Sequence, residues 1–239
     1  MKNAQLPGLS GRRVAQLLSD IKNDRSAASR IDAFSSHLLG QPYKSNPLIG
    51  SASTPEVFTA SLDGFDCVTY IETVLALALA SKADFTEWLR KIRYQKGRIQ
   101  WDRRNHYMTA WIRNNIHEGI LKPIPTPNVP TLTKQRVLNV VPGLAAQRTR
   151  IKYVPKRSMP HLERSLQTGD LIFFVSTRKN LDVFHAGIIV RNDQRLLMRH
   201  ASRTQGHVVE QELTKFLSSN RMSGIILARP CLLSLQGRG

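Results

Sequence analysis

Phe65-Asp66-Cys67-Val68-Thr69-Tyr70-Ile71-Glu72-Thr73 opens the most apolar stretch of the chain, and Asp182-Val183-Phe184-His185-Ala186-Gly187-Ile188-Ile189-Val190 answers it in the second half. The first segment has helix chemistry. Asp66 suits an N-cap, and apolar residues follow from Cys67 to about Ser81. The second segment has the length and β-branched content of a strand, with one histidine among apolar neighbours. An apolar helix followed by a run of short strands predicts an α+β fold.

Working outward toward the N-terminus, Ser10 can cap a helix whose apolar face is Val14, Leu17, Leu18 and Ile21. A second helix fits 29–39, with Ile31, Phe34 and Leu38 inward and Gly40 stopping it. Residues 42–59 are rich in Ser, Pro and Gly and read as an extended loop before the turn at Asp63-Gly64. Asp84 is placed to cap a helix ending near Tyr94, and 105–117 carries Tyr107, Trp111 and Ile112 on a further helix. Pro123, Pro125, Pro127 and Pro130 close this helical half, about 10–120. The apolar period then changes. Strands are predicted over 137–141, 151–154, 171–175, 183–190 and 196–200, with Asn192-Asp193 as a hairpin loop. A small helix over 212–218 and a last strand over 224–228 complete a β-rich half, about 135–230. No break in composition divides the chain, so a single domain over 1–239 is expected, its helices packed on a mainly antiparallel sheet.

The 239 residues are 41% hydrophobic and 22% charged, which excludes a disordered or fibrous protein. No apolar run reaches the 18 or so residues of a membrane span. With only Cys67 and Cys231 there is material for neither a disulfide scaffold nor a cysteine-based zinc site, and no metal or cofactor is expected. Lys and Arg number 35 against 17 Asp and Glu, a formal charge of +18. Such a chain should associate with polyanions: nucleic acid, anionic lipid or envelope polymers. The first 13 residues are polar and basic with no apolar h-region, so no secretory signal is legible.

Cys67 begins its helix, where partial positive charge favours a thiolate and predicts alkylation well below pH 8.5. A lone cysteine in this setting also reads as an inert buried hydrophobe. His185 could serve as a general base, or be a core histidine bonded to backbone. His200, in Leu197-Met198-Arg199-His200-Ala201-Ser202, lies beside His185 if the two runs form a hairpin, and could then hold its tautomer. Taken alone, it is an edge-strand histidine. Gly169-Asp170 reads as a turn entering a strand. Arg103-Arg104-Asn105-His106-Tyr107 with Trp111 is a basic and aromatic cluster suited to carbohydrate or peptide, or a helix with Trp in the core.

Taken together, the order is a helix-start Cys, Gly-Asp before an apolar strand, His-Ala-Gly-Ile-Ile-Val, then His-Ala-Ser. It resembles the NlpC/P60 superfamily of papain-like cysteine peptidases and amidases. Residues 65–73, Arg104-Asn105-His106-Tyr107 with Trp111-Ile112, and 182–190 with His200-Ala201-Ser202 are similar to its DUF1460 branch, N-acetylmuramoyl-L-alanine amidase-like proteins. The likeness runs from about Ser29 to Pro230.

The resemblance implies a papain-like fold and hydrolysis of an amide in peptidoglycan. Cys67 would be the nucleophile, His185 the proton shuttle and His200 the orienting group. Asp66, Tyr70, Arg104, His106, Tyr107 and Trp111 would contact substrate. It implies action on peptidoglycan fragments or sacculus. From the charge, the basic surface is expected to hold anionic envelope polymers, with no specific nucleic acid, and a monomer is expected. Work at the envelope, in the periplasm or outside the cell follows if a leader was trimmed, and cytoplasmic work if the chain acts where it is made. A γ-D-glutamyl-diamino acid endopeptidase, an amidase or transferase on a small metabolite, and a basic nucleic-acid-binding protein are the alternatives.

Overall fold

The computed structural model describes residues 4–5, 11–21, 26–80, 84–193 and 195–231. Ser10 and Ser81, the expected cap and the expected helix end, lie outside the described residues. In chain order the elements are β1 (Ala4–Gln5), α1 (Gly11–Asp20), α2 (Ala27–His37), β2 (Phe58–Thr59), α3 (Cys67–Leu79), α4 (Phe85–Arg93) and α5 (Met108–His117). There follow β3 (Leu121–Pro123), β4 (Leu132–Leu138), β5 (Gln147–Pro155), β6 (Leu171–Val175), β7 (Val183–Asn192), β8 (Arg195–Ser202), β9 (His207–Glu212), α6 (Leu213–Ser219) and β10 (Gly224–Pro230). This is the expected α+β order, with the helices first.

The main sheet runs β4-β5-β10-β6-β7-β8-β9, with β3 beside the far end of β10, and every pairing in it is antiparallel. Alternate residues of each strand face opposite sides. On one side Phe173, Ala186, Ile188, Ala201 and Ala228 meet the helical layer. On the other, Ile172, Phe174, Ile189, Met198 and Ile225 pack under α6 through Leu213, Phe216 and Leu217. Central β6 is therefore buried along its whole length.

α3 is apolar on every side because it is covered on every side. Thr69 through Leu79 are all buried, and each fully buried Leu, Ile or Val contributes about 2 kcal/mol by leaving water. On α1, Val14, Leu17 and Leu18 form the buried face that their spacing predicts. α2 begins two residues earlier than expected because Ser26 caps it, its Oγ accepting from Ser29 N at 3.0 Å.

Several boundaries differ from the sequence reading. Asp84 is the N-cap residue of α4, as expected, but its side chain makes no capping hydrogen bond; the carboxylate accepts the Trp88 indole N–H at 3.1 Å instead. β4 starts at Leu132, ahead of the expected 137–141, because it pairs residue for residue with β5 from Leu132↔Tyr153 to Leu138↔Gln147. β9 was not expected, since only Val208 and Val209 of its six residues are buried. Leu121–Pro123, where only Pro123 was expected to end the helical half, adds to the end of β10, and Pro123 sits at the strand terminus where its missing N–H costs least. The β7–β8 hairpin turns at Asp193, in the left-handed region at φ +50°.

Candidate functional site

Cys67 is the first residue of α3 because Asp66 stops the chain in extended backbone and caps the helix. Asp66 Oδ1 accepts from Val68 N at 3.1 Å and Thr69 N at 2.7 Å, while Asp66 N donates to Thr69 Oγ1 at 3.0 Å. This reciprocal box fixes the first turn, and with it the Cys67 side chain. The thiol lies on the wall of a cavity of about 470 Å³ that also exposes Asp66, His185 and Ala186.

The environment of the thiol overturns the expectation of an easily formed thiolate. Packing around it pushes its pKa up to about 12, and the Asp66 carboxylate adds to the rise. Backbone groups of Ala186, Cys67 and Val68 pull the other way without prevailing. The side chain keeps some solvent contact through the cavity, yet protein atoms surround it on the remaining sides. The resting group is therefore a thiol.

His185 lies near the start of β7. Phe174↔His185 is followed by Val175↔Val183, so Phe184 is an extra residue that bends the strand next to the histidine. Such bulges re-aim neighbouring side chains, and this one stands at the cavity rim. His185 Nε2 lies 2.7 Å from His200 Nδ1 on β8. The Ile188↔Arg199 register puts both histidines on the same face, as the hairpin expectation required. Phe216 of α6 stacks on His185 at 5.3 Å and meets His200 edge-on at 5.5 Å, sealing the pair from below. Burial lowers both imidazoles, His185 to about 3, with His200 beside it adding to the fall, and His200 to about 4. Both are neutral at pH 7.

Arg104 and His106 line the same cavity. Arg104 donates to Glu56 Oε1 at 3.2 Å and to the Gly50 carbonyl at 3.3 Å, and Tyr94 donates its hydroxyl to the same Glu56 oxygen at 2.7 Å. Gly50 has φ +135°, and a Cβ there would come within 2.1 Å of Glu56 Oε2, so only glycine fits this clamp. His106 Nε2 lies 2.7 Å from the Trp101 carbonyl and must donate to it, leaving Nδ1 as an acceptor. Burial lowers the His106 pKa.

Three aromatic residues expected at the substrate are placed elsewhere. Tyr70 is fully buried, its hydroxyl donating to the Ser35 carbonyl at 3.1 Å. Trp111 is fully buried too and donates its indole N–H to Glu72 Oε1 at 3.1 Å. Tyr107 is buried against a separate cavity of about 110 Å³. Their rings serve the core and not the wall of the Cys67 cavity; Tyr107 precedes α5, which starts at Met108 and not at the expected 105.

Other site residues carry no signal in the sequence. Glu72 and Arg93 form a buried ion pair of 2.7 Å at the cavity. Asp182 accepts from Thr109 N at 2.7 Å and so caps α5 from 73 residues away, anchoring the start of β7. Val141 and Pro142, in the β4–β5 turn, close the cavity with Trp101 and the 46–51 loop. Burial raises the Tyr43 pKa, and Tyr43 stands near enough to Cys67 and Asp66 that a thiolate or the carboxylate there adds to the rise. Among the described residues no group of three or more His, Cys, Asp or Glu is arranged to hold a metal ion, and no helix is long and apolar enough to cross a membrane.

The comparisons agree with this architecture. A solved N-acetylmuramoyl-L-alanine amidase from Bacteroides uniformis ATCC 8492 superposes with TM-score 0.76 and 27% identity, over 86% of this chain and 99% of that one. Protein LPG0564 from Legionella pneumophila, of the DUF1460 family, shares the fold with TM-score 0.81 and 24% identity, over 93% and 97% of the two chains. A structure described as a putative xylanase from Bacteroides fragilis matches with TM-score 0.69 and 25% identity, over 82% and 98%. No curated protein matches in sequence. The profile of the AmiA-like family, described as N-acetylmuramoyl-L-alanine amidase-like, covers residues 33–225, and the chain belongs to that family.

Proposed function

We propose that the protein is a cysteine-dependent amide hydrolase of peptidoglycan, cleaving between the muramic lactyl group and L-alanine on a papain-like NlpC/P60 scaffold. The observation that carries this reading is the sharing of one cavity by Cys67 and His185, with His185 Nε2 tied at 2.7 Å to His200.

Because His185 Nε2 is engaged by His200, Nδ1 is the nitrogen left to act as base. The Cys67 thiol loses its proton to Nδ1 as sulfur attacks the lactyl carbonyl carbon. The Cys67 backbone N–H, at the free end of α3, stabilises the oxyanion, a contribution of roughly 3 kcal/mol for one such donor. The C–N bond breaks, the imidazolium returns its proton to the departing L-alanine amine, and a thioester remains. Water, deprotonated by the same nitrogen, releases the muramic carboxyl group. The raised thiol pKa fits a proton moved during attack, not an ion pair formed beforehand.

Asp66 on the cavity wall favours a second reading, a γ-D-glutamyl-diamino acid endopeptidase, since a carboxylate there can hold a free N-terminal amine. Incubation with purified muropeptides and with the free stem tetrapeptide, read by mass spectrometry, separates the two: free disaccharide with an intact stem peptide supports the amidase, and a dipeptide released from the free stem peptide supports the endopeptidase.

The proposal extends to the partner and the place of work. From residue 119 to 162 the chain carries Lys122, Lys134, Arg136, Arg148, Arg150, Lys152, Lys156 and Arg157 and no acidic residue. Arg148, Arg150 and Lys152 alternate along β5 and are all exposed. A basic ribbon whose turn also borders the cavity suits an enzyme working on an anionic envelope matrix.

A further inference from the structure

The His185–His200 pair leaves one atom unexplained. Hydrogen bonding between the two rings needs one donor and one acceptor. If His185 Nδ1 carries the lone pair that takes the thiol proton, Nε2 carries the hydrogen and donates to His200 Nδ1. A neutral His200 must then hold its own hydrogen on Nε2. That atom is buried and has no hydrogen-bond partner in the structure, and Phe216 packs against the ring. A buried N–H without an acceptor costs free energy, and the other tautomer, with hydrogen on Nδ1, would set two donors against each other.

The next strand places an amide near this atom. His200 pairs with Val209 and Met198 with Gln211, so Gln211 sits diagonally from His200 on the same face. Its amide lies beside the ring, close enough to favour the protonated imidazole, as does the Ala201 backbone, though neither is in hydrogen-bonding geometry with Nε2. Gln205 Nε2 donates to Gln211 Oε1 at 3.3 Å, a long bond that leaves the oxygen a second lone pair.

We propose that Gln211 is a positioning residue: its Oε1 accepts the His200 Nε2–H and thereby fixes the tautomers of both histidines, in a relay across β7, β8 and β9. Gln211 touches neither substrate nor sulfur. It acts by making His200 Nδ1 an acceptor, which holds the His185 hydrogen on Nε2 and frees Nδ1 as the base. The inference rests on the catalytic reading above for its purpose, but the tautomer states can be read without turnover.

The test uses ¹⁵N-histidine NMR on the full chain carrying Cys67→Ala, together with single-turnover hydrolysis of muropeptides by the Cys67 form. Both His200 and His185 are expected as Nε2–H tautomers with glutamine at 211. Gln211→Leu should bring in the Nδ1–H tautomer of His200 and slow single turnover roughly 10- to 100-fold, the range known for partners that orient metal-bound imidazoles. Substrate affinity should stay unchanged. Gln211→Glu, which still offers an acceptor, should restore the Nε2–H tautomer. Nδ1–H on His200 with glutamine at 211, or tautomers indifferent to Gln211→Leu, would overturn the proposal. If Cys67→Ala still hydrolyses muropeptides while the tautomers respond as expected, the relay stands and the cysteine mechanism falls.

Discussion

His185 Nε2 and His200 Nδ1 meet at 2.7 Å with their rings 88° apart, each imidazole on its own strand of one hairpin. Perpendicular rings allow an in-plane hydrogen bond from one nitrogen to the other, so each ring constrains the other's tautomer. The two are not equivalent: His185 borders the cavity, whereas His200 is 2% exposed and lies behind it. His185→Ala should therefore cost 10³-fold or more in turnover, about the worth of a general base. His200→Asn should retain measurable activity because an amide can accept the same hydrogen bond, and His200→Ala should retain less. Single-turnover kinetics on the three variants checks this. A dead His200→Asn beside a fully active His185→Ala would reverse the roles.

Cys67 and Cys231 are both free thiols, and only Cys67 borders the large cavity. Cys67→Ser should abolish hydrolysis while shifting the melting temperature by no more than a few degrees. Cys231→Ser should remain active, since the contact that the backbone makes there, Cys231 N to the Ile120 carbonyl at 2.8 Å, survives the substitution. Activity assays with thermal melts decide it.

The raised thiol and the lowered imidazoles set two pH dependences. Iodoacetamide labelling of Cys67 should be slow at pH 7 and climb about tenfold per pH unit beyond pH 9 without levelling, because the thiolate is scarce until near pH 12. A plateau near pH 7 would mean a preformed ion pair. For stability, His185 and His200 titrate near 3 and 4 in the folded chain, against about 6.5 when unfolded. Between those limits the unfolded chain binds protons that the folded chain refuses. Their contribution is intact above about pH 6.5 and is lost as pH falls toward 3, by several kcal/mol. Denaturant midpoints followed from pH 7 to pH 4 should drop more in the wild type than in a His185→Gln, His200→Gln double variant.

Glu72 and Arg93 are each 2% exposed and hold α3 to α4, with Trp111 of α5 on the other carboxylate oxygen. Removing one partner strands a buried charge. Arg93→Met should cost about 3–5 kcal/mol and lower the melting temperature by roughly 10 °C. Glu72→Gln should destabilise too, because the Arg93 charge loses its partner and the single amide oxygen can replace only one of the two carboxylate oxygens that accept from Arg93 and Trp111. Burial already raises the Glu72 pKa, so the loss should be the smaller of the two. Calorimetry on both variants gives the order.

The ribbon bearing Arg148, Arg150 and Lys152 should bind sacculi or anionic polymer in a salt-sensitive way. Replacing all three by Glu should weaken pelleting with sacculi and leave turnover of a small muropeptide nearly unchanged. Raising salt from about 0.05 to 0.5 M should act on binding in the same direction, by shortening the range of the attraction. Equal loss of binding and small-substrate turnover would place these charges at the catalytic cavity.

What the sequence by itself determined is local. Asp66 before an apolar run defined the start of α3, because capping chemistry acts within three residues. The strands over 171–175 and 183–190 and the hairpin between the two histidines were legible because apolar period and turn residues are nearest-neighbour properties. Long-range pairing was not legible. The start of β4 and the whole of β9 are defined by their partner strands, since their own residues are mostly polar or exposed. The same division runs through the site. Cys67, His185 and His200 stood out as residue types in order, but Tyr70 and Trp111 carry the same kind of signal and turn inward. Only the packing of α3 against α2, α4 and α5 decides that. The acidity of Cys67 went the same way: its place at a helix end argued for a thiolate, and the surrounding protein atoms with the adjacent Asp66 outweigh it. Helix-end charge is local and fades within a turn, whereas desolvation sums over every neighbour that the tertiary structure brings in.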